Sequence, residues 1–136
     1  MNKIKLDAIL DNLDEVLAFV DGELEKVGCS MKVQMQIDVA VEEIFVNIAS
    51  YAYGDKIGSA EIITDYDEPS KSMSFTFIDQ GTPYDPLAKE DPDVTLSAEE
   101  RQIGGLGIYI VKKSMDDVKY EYKDNSNILT LVKKIT

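Results

Sequence analysis

Two helix-period segments run back to back near the start of the chain, and their adjacency limits the fold more than any other feature. Leu13, Val16, Leu17, Val20, Leu24 and Val27 recur at three- and four-residue intervals, and Gly28 is placed to end the run. Asn12 stands where an N-cap belongs, with Glu15 three residues on at capping-box spacing. Ser30 can cap a second helix reaching to about Tyr51, whose apolar face is Ile37, Val41, Ile44, Phe45 and Ile48. The period then changes to two. Lys3–Asp7, Ala60–Tyr66 and above all Ser72–Phe77 alternate as strands with one buried face, as do Val118, Tyr120, Tyr122 and Ile128–Lys133. Ile108, Val111 and Met115 place a third helix between them. The resulting order is β-α-α-β-β-loop-α-β-β. It predicts an α/β (α+β) fold in which a mostly antiparallel mixed sheet carries its helices on one face, a two-layer sandwich built as one domain over residues 1–136.

Composition removes several classes of chemistry. There are no histidines and a single cysteine, Cys29, so histidine-based triads, thiol–imidazole catalysis, an internal disulfide and CxxC sites are absent. A net charge of −12 repels nucleic acid and anionic membrane, so neither is expected as a partner. Asp7, Asp11, Asp14 and Glu15 near the start, and the lack of any long apolar run, give no signal peptide or spanning helix, and a cytoplasmic location is expected.

Three clusters carry possible chemistry. Gln36, Ala40, Glu43 and Asn47 share one stripe of the second helix, about 110° from the centre of its apolar face. The Asn47 amide oxygen suits Mg²⁺ shared with phosphate, and Glu43 suits a general base, although polar residues flanking an amphipathic helix are the plainer reading of that spacing alone. Asp79 closes the alternating strand and opens Asp79-Gln80-Gly81-Thr82-Pro83, where a carboxylate can accept from an exocyclic amine and Gly81 admits a flat ligand near the backbone. An ordinary turn has the same composition. Gly104-Gly105-Leu106-Gly107 leads into the third helix and can offer free backbone N–H groups to phosphate, with Arg101, the only arginine, three residues upstream. Residues 79–104 form a long irregular segment with a short helix expected at Ser97–Glu100, and they carry Glu90, Asp91, Asp93, Glu99 and Glu100. Taken together the clusters offer a base site, a lid, a phosphate cradle and a metal ligand.

In that order the residues resemble the GHKL (histidine-kinase-like) ATPase superfamily. Val41-Glu42-Glu43-Ile44-Phe45-Val46-Asn47 resembles its E-x-x-x-N box, Asp79-Gln80-Gly81-Thr82-Pro83-Tyr84-Asp85-Pro86 its D-x-G box, and Gly104 through Asp116 its second glycine box. The short chain is most similar to bacterial anti-sigma-factor serine/threonine kinases. Tyr51 stands where many members have histidine, and Tyr84 where phenylalanine is usual. The resemblance implies a Bergerat-type ATP-binding fold using ATP and Mg²⁺, with Asn47 as metal ligand, Glu43 as general base and Asp79 on the adenine amine beside Gly81. It implies that Gly105 and Gly107 line the phosphates and that Thr130 supports the adenine site. Its members phosphorylate a STAS-type antagonist, bind a sigma factor and commonly dimerise. A second reading keeps the nucleotide but makes it a conformational switch, the domain sequestering a partner without phosphoryl transfer.

Overall fold

The structure, a computed structural model, describes residues 1–88 and 105–136. The order matches the sequence pattern: β1 (Asn2–Asp7), α1 (Leu13–Lys26), α2 (Met31–Asn47), β2 (Ser59–Asp67), β3 (Ser72–Asp79), α3 (Gly105–Ser114), β4 (Asp117–Lys123) and β5 (Ser126–Lys134). The sheet runs β1-β2-β3-β5-β4. All four pairings among the described residues are antiparallel, where the sequence pattern predicts a mostly antiparallel mixed sheet. The expected helix at Ser97–Glu100 and the acidic residues of that segment lie outside the described residues.

The helix ends show how far local chemistry reaches. Ser30 caps α2 as expected, its hydroxyl accepting from the Val33 amide at 3.3 Å. Gly28 has φ +70 and closes α1 with two bonds, Gly28 N–H to the Glu25 carbonyl and Cys29 N–H to that of Leu24, both 3.2 Å, which together make a Schellman ending. The capping box at Asn12 does not form. A 3-10 turn over Leu10–Asn12 precedes α1 and holds Asn12 at φ −93, ψ 0. Its amide turns back to the Asp7 carbonyl at 2.8 Å, tying the end of β1 to the helix start instead. In the β4–β5 hairpin, Asp124 and Asn125 both take positive φ, 54° and 60°, the pair of conformations that a two-residue primed turn requires.

The core lies between one sheet face and the helices. Val16, Val20 and Leu24 of α1, Ile37, Val41 and Phe45 of α2, and Val111 of α3 meet Ile62, Phe75, Phe77 and Leu131 of the sheet, all essentially without solvent contact. A side chain of this size contributes about 1.5–3 kcal/mol when fully buried. Among the described residues two carboxylates are buried as well, Asp79 and Glu23. Glu23 accepts from Asn2 Nδ2 at 2.6 Å, Thr64 Oγ1 at 2.9 Å and Lys26 Nζ at 2.6 Å, joining β1, α1 and β2.

Strand parity then positions the site. On β3 the buried residues are Met73, Phe75, Phe77 and Asp79, so the alternation that builds the core also delivers the last carboxylate to the helix side. On β5 the same parity runs Asn127, Leu129, Leu131, and Asp79 lies directly opposite Asn127 in the register.

Candidate nucleotide site

A cavity of about 520 Å³ opens where the C-terminal end of α2 meets the ends of β3, β4 and β5 and the start of α3. Asn47, Ile48, Tyr51 and Ala52 form one wall, and Phe77, Asp79 and Leu129 the floor. Thr82, Pro83, Tyr84 and Pro86 form the rim, with Tyr120, Asn127 and Ile108 completing the enclosure. Past Asn47 the helix does not stop but widens into a π-turn, Ile48–Ala52. Such turns recur at functional sites because they re-aim the following backbone. Here the turn presents the Ala52 carbonyl to the Thr82 amide at 2.8 Å. Gly81 fits this approach because a Cβ there would lie 2.3 Å from that same carbonyl oxygen.

The Asp79 carboxylate is buried and directional. Its Oδ1 accepts from the Gly81 amide at 2.9 Å and from Asn127 Nδ2 at 3.0 Å. Its Oδ2 makes no hydrogen bond among the described residues, and Asp79 is one of the residues that line the cavity. Tyr53 braces the same turn, its hydroxyl donating to the Ser59 carbonyl at 2.6 Å and accepting from the Gln80 amide at 2.8 Å. Burial, with the Asp79 charge adding to it, holds the Tyr53 phenol above its ordinary pKa.

Glu43 and Asn47 lie one turn apart at the core's border, as the helical wheel requires, and are joined by Asn47 Nδ2 donating to Glu43 Oε1 at 3.2 Å. That bond leaves the Asn47 amide oxygen for another partner. The glycine segment meets this pair directly. The third helix begins at Gly105, earlier than Ile108, and a Cβ on Gly107 would sit 2.0 Å from Glu43 Oε1. Gly107 is therefore the contact that lets α3 approach the α2 carboxylate. Gly104 and Arg101 lie outside the described residues.

Thr130 requires a correction. It is out of phase with Asn127, Leu129 and Leu131, so its side chain stands on the opposite face of the sheet, 3.3 Å from Thr76 Oγ1, and it does not line the cavity. Asn127 takes the place beside Asp79. Its carboxamide donates to Asp79, to the Thr82 carbonyl at 3.1 Å and to that of Gly81 at 3.5 Å, and it accepts from the Tyr84 amide at 3.1 Å and the Tyr120 hydroxyl at 2.5 Å. The signal was present in the sequence: a carboxamide in step with two buried leucines.

Known proteins bear on this geometry. The family model described as histidine kinase-like ATPase domain matches residues 6–133. The chain belongs to this family. Among relatives of this histidine kinase-like ATPase domain is the serine-protein kinase RsbW of Listeria monocytogenes serovar 1/2a, 28% identical over 115 residues, covering 81% of this chain and 72% of that one. Another is the serine/threonine-protein kinase BtrW of Bordetella bronchiseptica, 26% identical over 102 residues, covering 75% of this chain and 71% of that protein. The crystal structure of the RsbU and RsbW domains of Rv1364c from Mycobacterium tuberculosis superposes with a TM-score of 0.66 at 13% identity, over 99% of this chain but only 33% of that one. The histidine kinase domain of the Erythrobacter litoralis EL346 blue-light activated histidine kinase gives 0.56 at 12% identity, over 90% and 61%. These two structures bear on the fold alone. Asn47 and Asp79 thus line one cavity, Gly81 packs on the Ala52 carbonyl at its edge, and Glu43, bonded to Asn47, meets Gly107.

Proposed function

We propose that this domain binds Mg-ATP in the α2–β3 cavity and transfers the γ-phosphoryl group to a serine or threonine of a STAS-type antagonist in an anti-sigma partner switch. The observation that carries the reading is Asp79, a buried carboxylate in the lining of a cavity of nucleotide size, whose Oδ2 has no hydrogen bond among the described residues. A 6-aminopurine supplies the donor that this oxygen lacks.

The residues present fit a magnesium ion shared with phosphate. Asn47 offers a hard amide oxygen, and among the described residues no three His, Cys, Asp or Glu side chains converge on one point, so an all-protein cage is not the match. Bound there, the ion would neutralise the triphosphate in a chain of net charge −12. Glu43 is the group to accept a proton. The acceptor hydroxyl oxygen forms a bond to the γ-phosphorus, its proton passes to the Glu43 carboxylate, and the bond from phosphorus to the β–γ bridging oxygen breaks, with its electron pair leaving on ADP. Gly105, Gly107 and the upstream Gly104 and Arg101 are assigned to the phosphates.

The serine and serine/threonine kinase names of the two bacterial relatives support an enzyme. A STAS-type antagonist, a sigma factor and a second copy of the chain are the partners that the family resemblance suggests. No helix among the described residues is long and apolar enough to cross a membrane, and a cytoplasmic protein suits such partners. Calorimetric titration with ATP, with and without Mg²⁺, tests the site, and phosphate transfer to a STAS protein from the same genome tests the reaction. Metal-dependent binding and transfer that Glu43→Ala abolishes are expected. Binding without transfer in the unaltered chain would leave a nucleotide-gated binding module.

A further inference from the structure

We infer that Tyr120 and Asn127 form a positioning relay that makes the cavity select a 6-aminopurine over a 6-oxopurine, an inference that rests on the nucleotide reading above. The argument is one of hydrogen-bond polarity. The Tyr84 backbone N–H can only donate, and it meets Asn127 Oδ1 at 3.1 Å. The Thr82 and Gly81 carbonyls can only accept, and they meet Asn127 Nδ2 at 3.1 Å and 3.5 Å. These groups fix the orientation of the carboxamide. The Tyr120 hydroxyl, 2.5 Å from the same Oδ1, must then be a donor as well. Burial first, with the Asp85 and Asp79 carboxylates adding to it, outweighs the bond from the Tyr84 backbone and holds the Tyr120 phenol above its ordinary pKa, so its proton is retained.

With both donors on Oδ1, a flipped amide would set its N–H groups against N–H and O–H, and its oxygen against two carbonyls. The orientation is locked, and Nδ2 is delivered to Asp79 Oδ1. That oxygen also accepts from Gly81, so the carboxylate is held by two donors 46 residues apart in sequence. Its other oxygen, on a residue that lines the cavity, has no partner among the described residues and can only accept. A purine whose position 6 is an amine satisfies it. One whose position 6 is a carbonyl places oxygen against carboxylate, the mismatch that gives strong discrimination at a polar site. Neither Tyr120 nor Asn127 takes part in the transfer step; both act through Asp79.

The test is the ratio of ATP to GTP affinity of the whole chain with Mg²⁺, measured by calorimetry near pH 6 and near pH 8.5 in the unaltered protein and in Asn127→Asp. The unaltered chain should prefer ATP by tenfold or more at both pH values. In Asn127→Asp the new carboxyl faces the Asp79 carboxylate and the two carbonyls. A proton shared by the pair restores the donor at low pH, and its loss sets like charges together. The ATP preference should therefore be near normal at about pH 6 and fall by about tenfold at about pH 8.5, the size of one charge-assisted hydrogen bond. A merely structural lesion would weaken both nucleotides alike at both pH values. Tyr120→Phe keeps the Tyr84 donor, so it should fold and lose a few-fold of the preference. An ATP preference unchanged in Asn127→Asp at both pH values, with the unaltered chain selective, overturns the relay alone. An unaltered chain that binds neither nucleotide overturns the nucleotide reading and the relay with it.

Discussion

Replacing Gly107 with alanine separates the proposed catalytic part of the Gly107–Glu43 contact from any role in folding. Gly107 has no left-handed backbone conformation, so alanine suits its φ, and within a helix alanine is favoured over glycine by about 1 kcal/mol. The new methyl carbon, however, would stand 2.0 Å from Glu43 Oε1 and 2.1 Å from Cδ, where ordinary contact begins near 3.4 Å. The obstacle is the end of a flexible side chain, so Glu43 swings aside by more than ~1 Å and the backbones stay in place. The lost bond from Asn47, 3.2 Å long and only part-buried, costs about 0.5–1 kcal/mol, which the helix gain offsets. Thermal unfolding of Gly107→Ala should therefore fall within about 3 °C of the unaltered chain. A general base displaced by about 1 Å loses on the order of a hundredfold in rate. Single-turnover loss of the γ-phosphate from bound ATP, with an acceptor protein present, measures that. A variant transferring phosphate at the normal rate would refute the placement of Glu43, and one losing more than about 3 kcal/mol of stability would show that the α2–α3 contact cannot yield as argued.

Other perturbations test the frame around the site. Burial alone would raise the Glu23 pKa, but the bonds from Lys26, Asn2 and Thr64 outweigh it and hold the carboxyl below its usual value. Its stabilisation is present above the ordinary glutamate pKa and is lost as acid titrates the folded state, so Glu23→Gln should flatten the acid limb of a pH–stability curve and Glu23→Ala should cost about 1–3 kcal/mol in urea unfolding. Asp38 on α2 is pushed up to about 7, by burial first and then by the Asp21 carboxylate of α1, each residue having a buried Oδ1 with no donor. A raised pKa means stability that is full below the ordinary aspartate range and declines as pH rises through about 7, so Asp38→Asn should remove that decline and unfold at higher temperature than the unaltered chain at about pH 8. Tyr53→Phe removes the hydroxyl that bonds Ser59 and Gln80 and should cost about 1 kcal/mol, with faster hydrogen exchange at the Gln80 amide as the direct readout.

How much of this was legible beforehand depends on whether the deciding interactions were local. Ser30 and Gly28 act within five residues of their helix ends and could be read directly, whereas the cap expected of Asn12 was pre-empted by a 3-10 turn that brought the Asp7 carbonyl within reach. From composition alone the glycines around the start of α3 resemble a phosphate loop. The close pass of Gly107 by Glu43 depends on two helices packing across the core, 64 residues apart in the chain, and no local pattern encodes it.

The sequence by itself determined the elements and their order, because a period of 3.6 or 2 in apolar residues commits each segment to a face, and the order of segments then favours one sheet with its helices on one side. It also determined that Glu43 and Asn47 share a stripe, which is a property of one helix. Only the tertiary structure decided which polar residue stands beside Asp79. That choice belongs to the antiparallel register of β3 on β5, which sets Asp79 opposite Asn127 and turns Thr130 to the far face. The pleat reverses every side chain with each single-residue step, so the side-chain partner of a strand-end carboxylate is settled by pairing between distant segments.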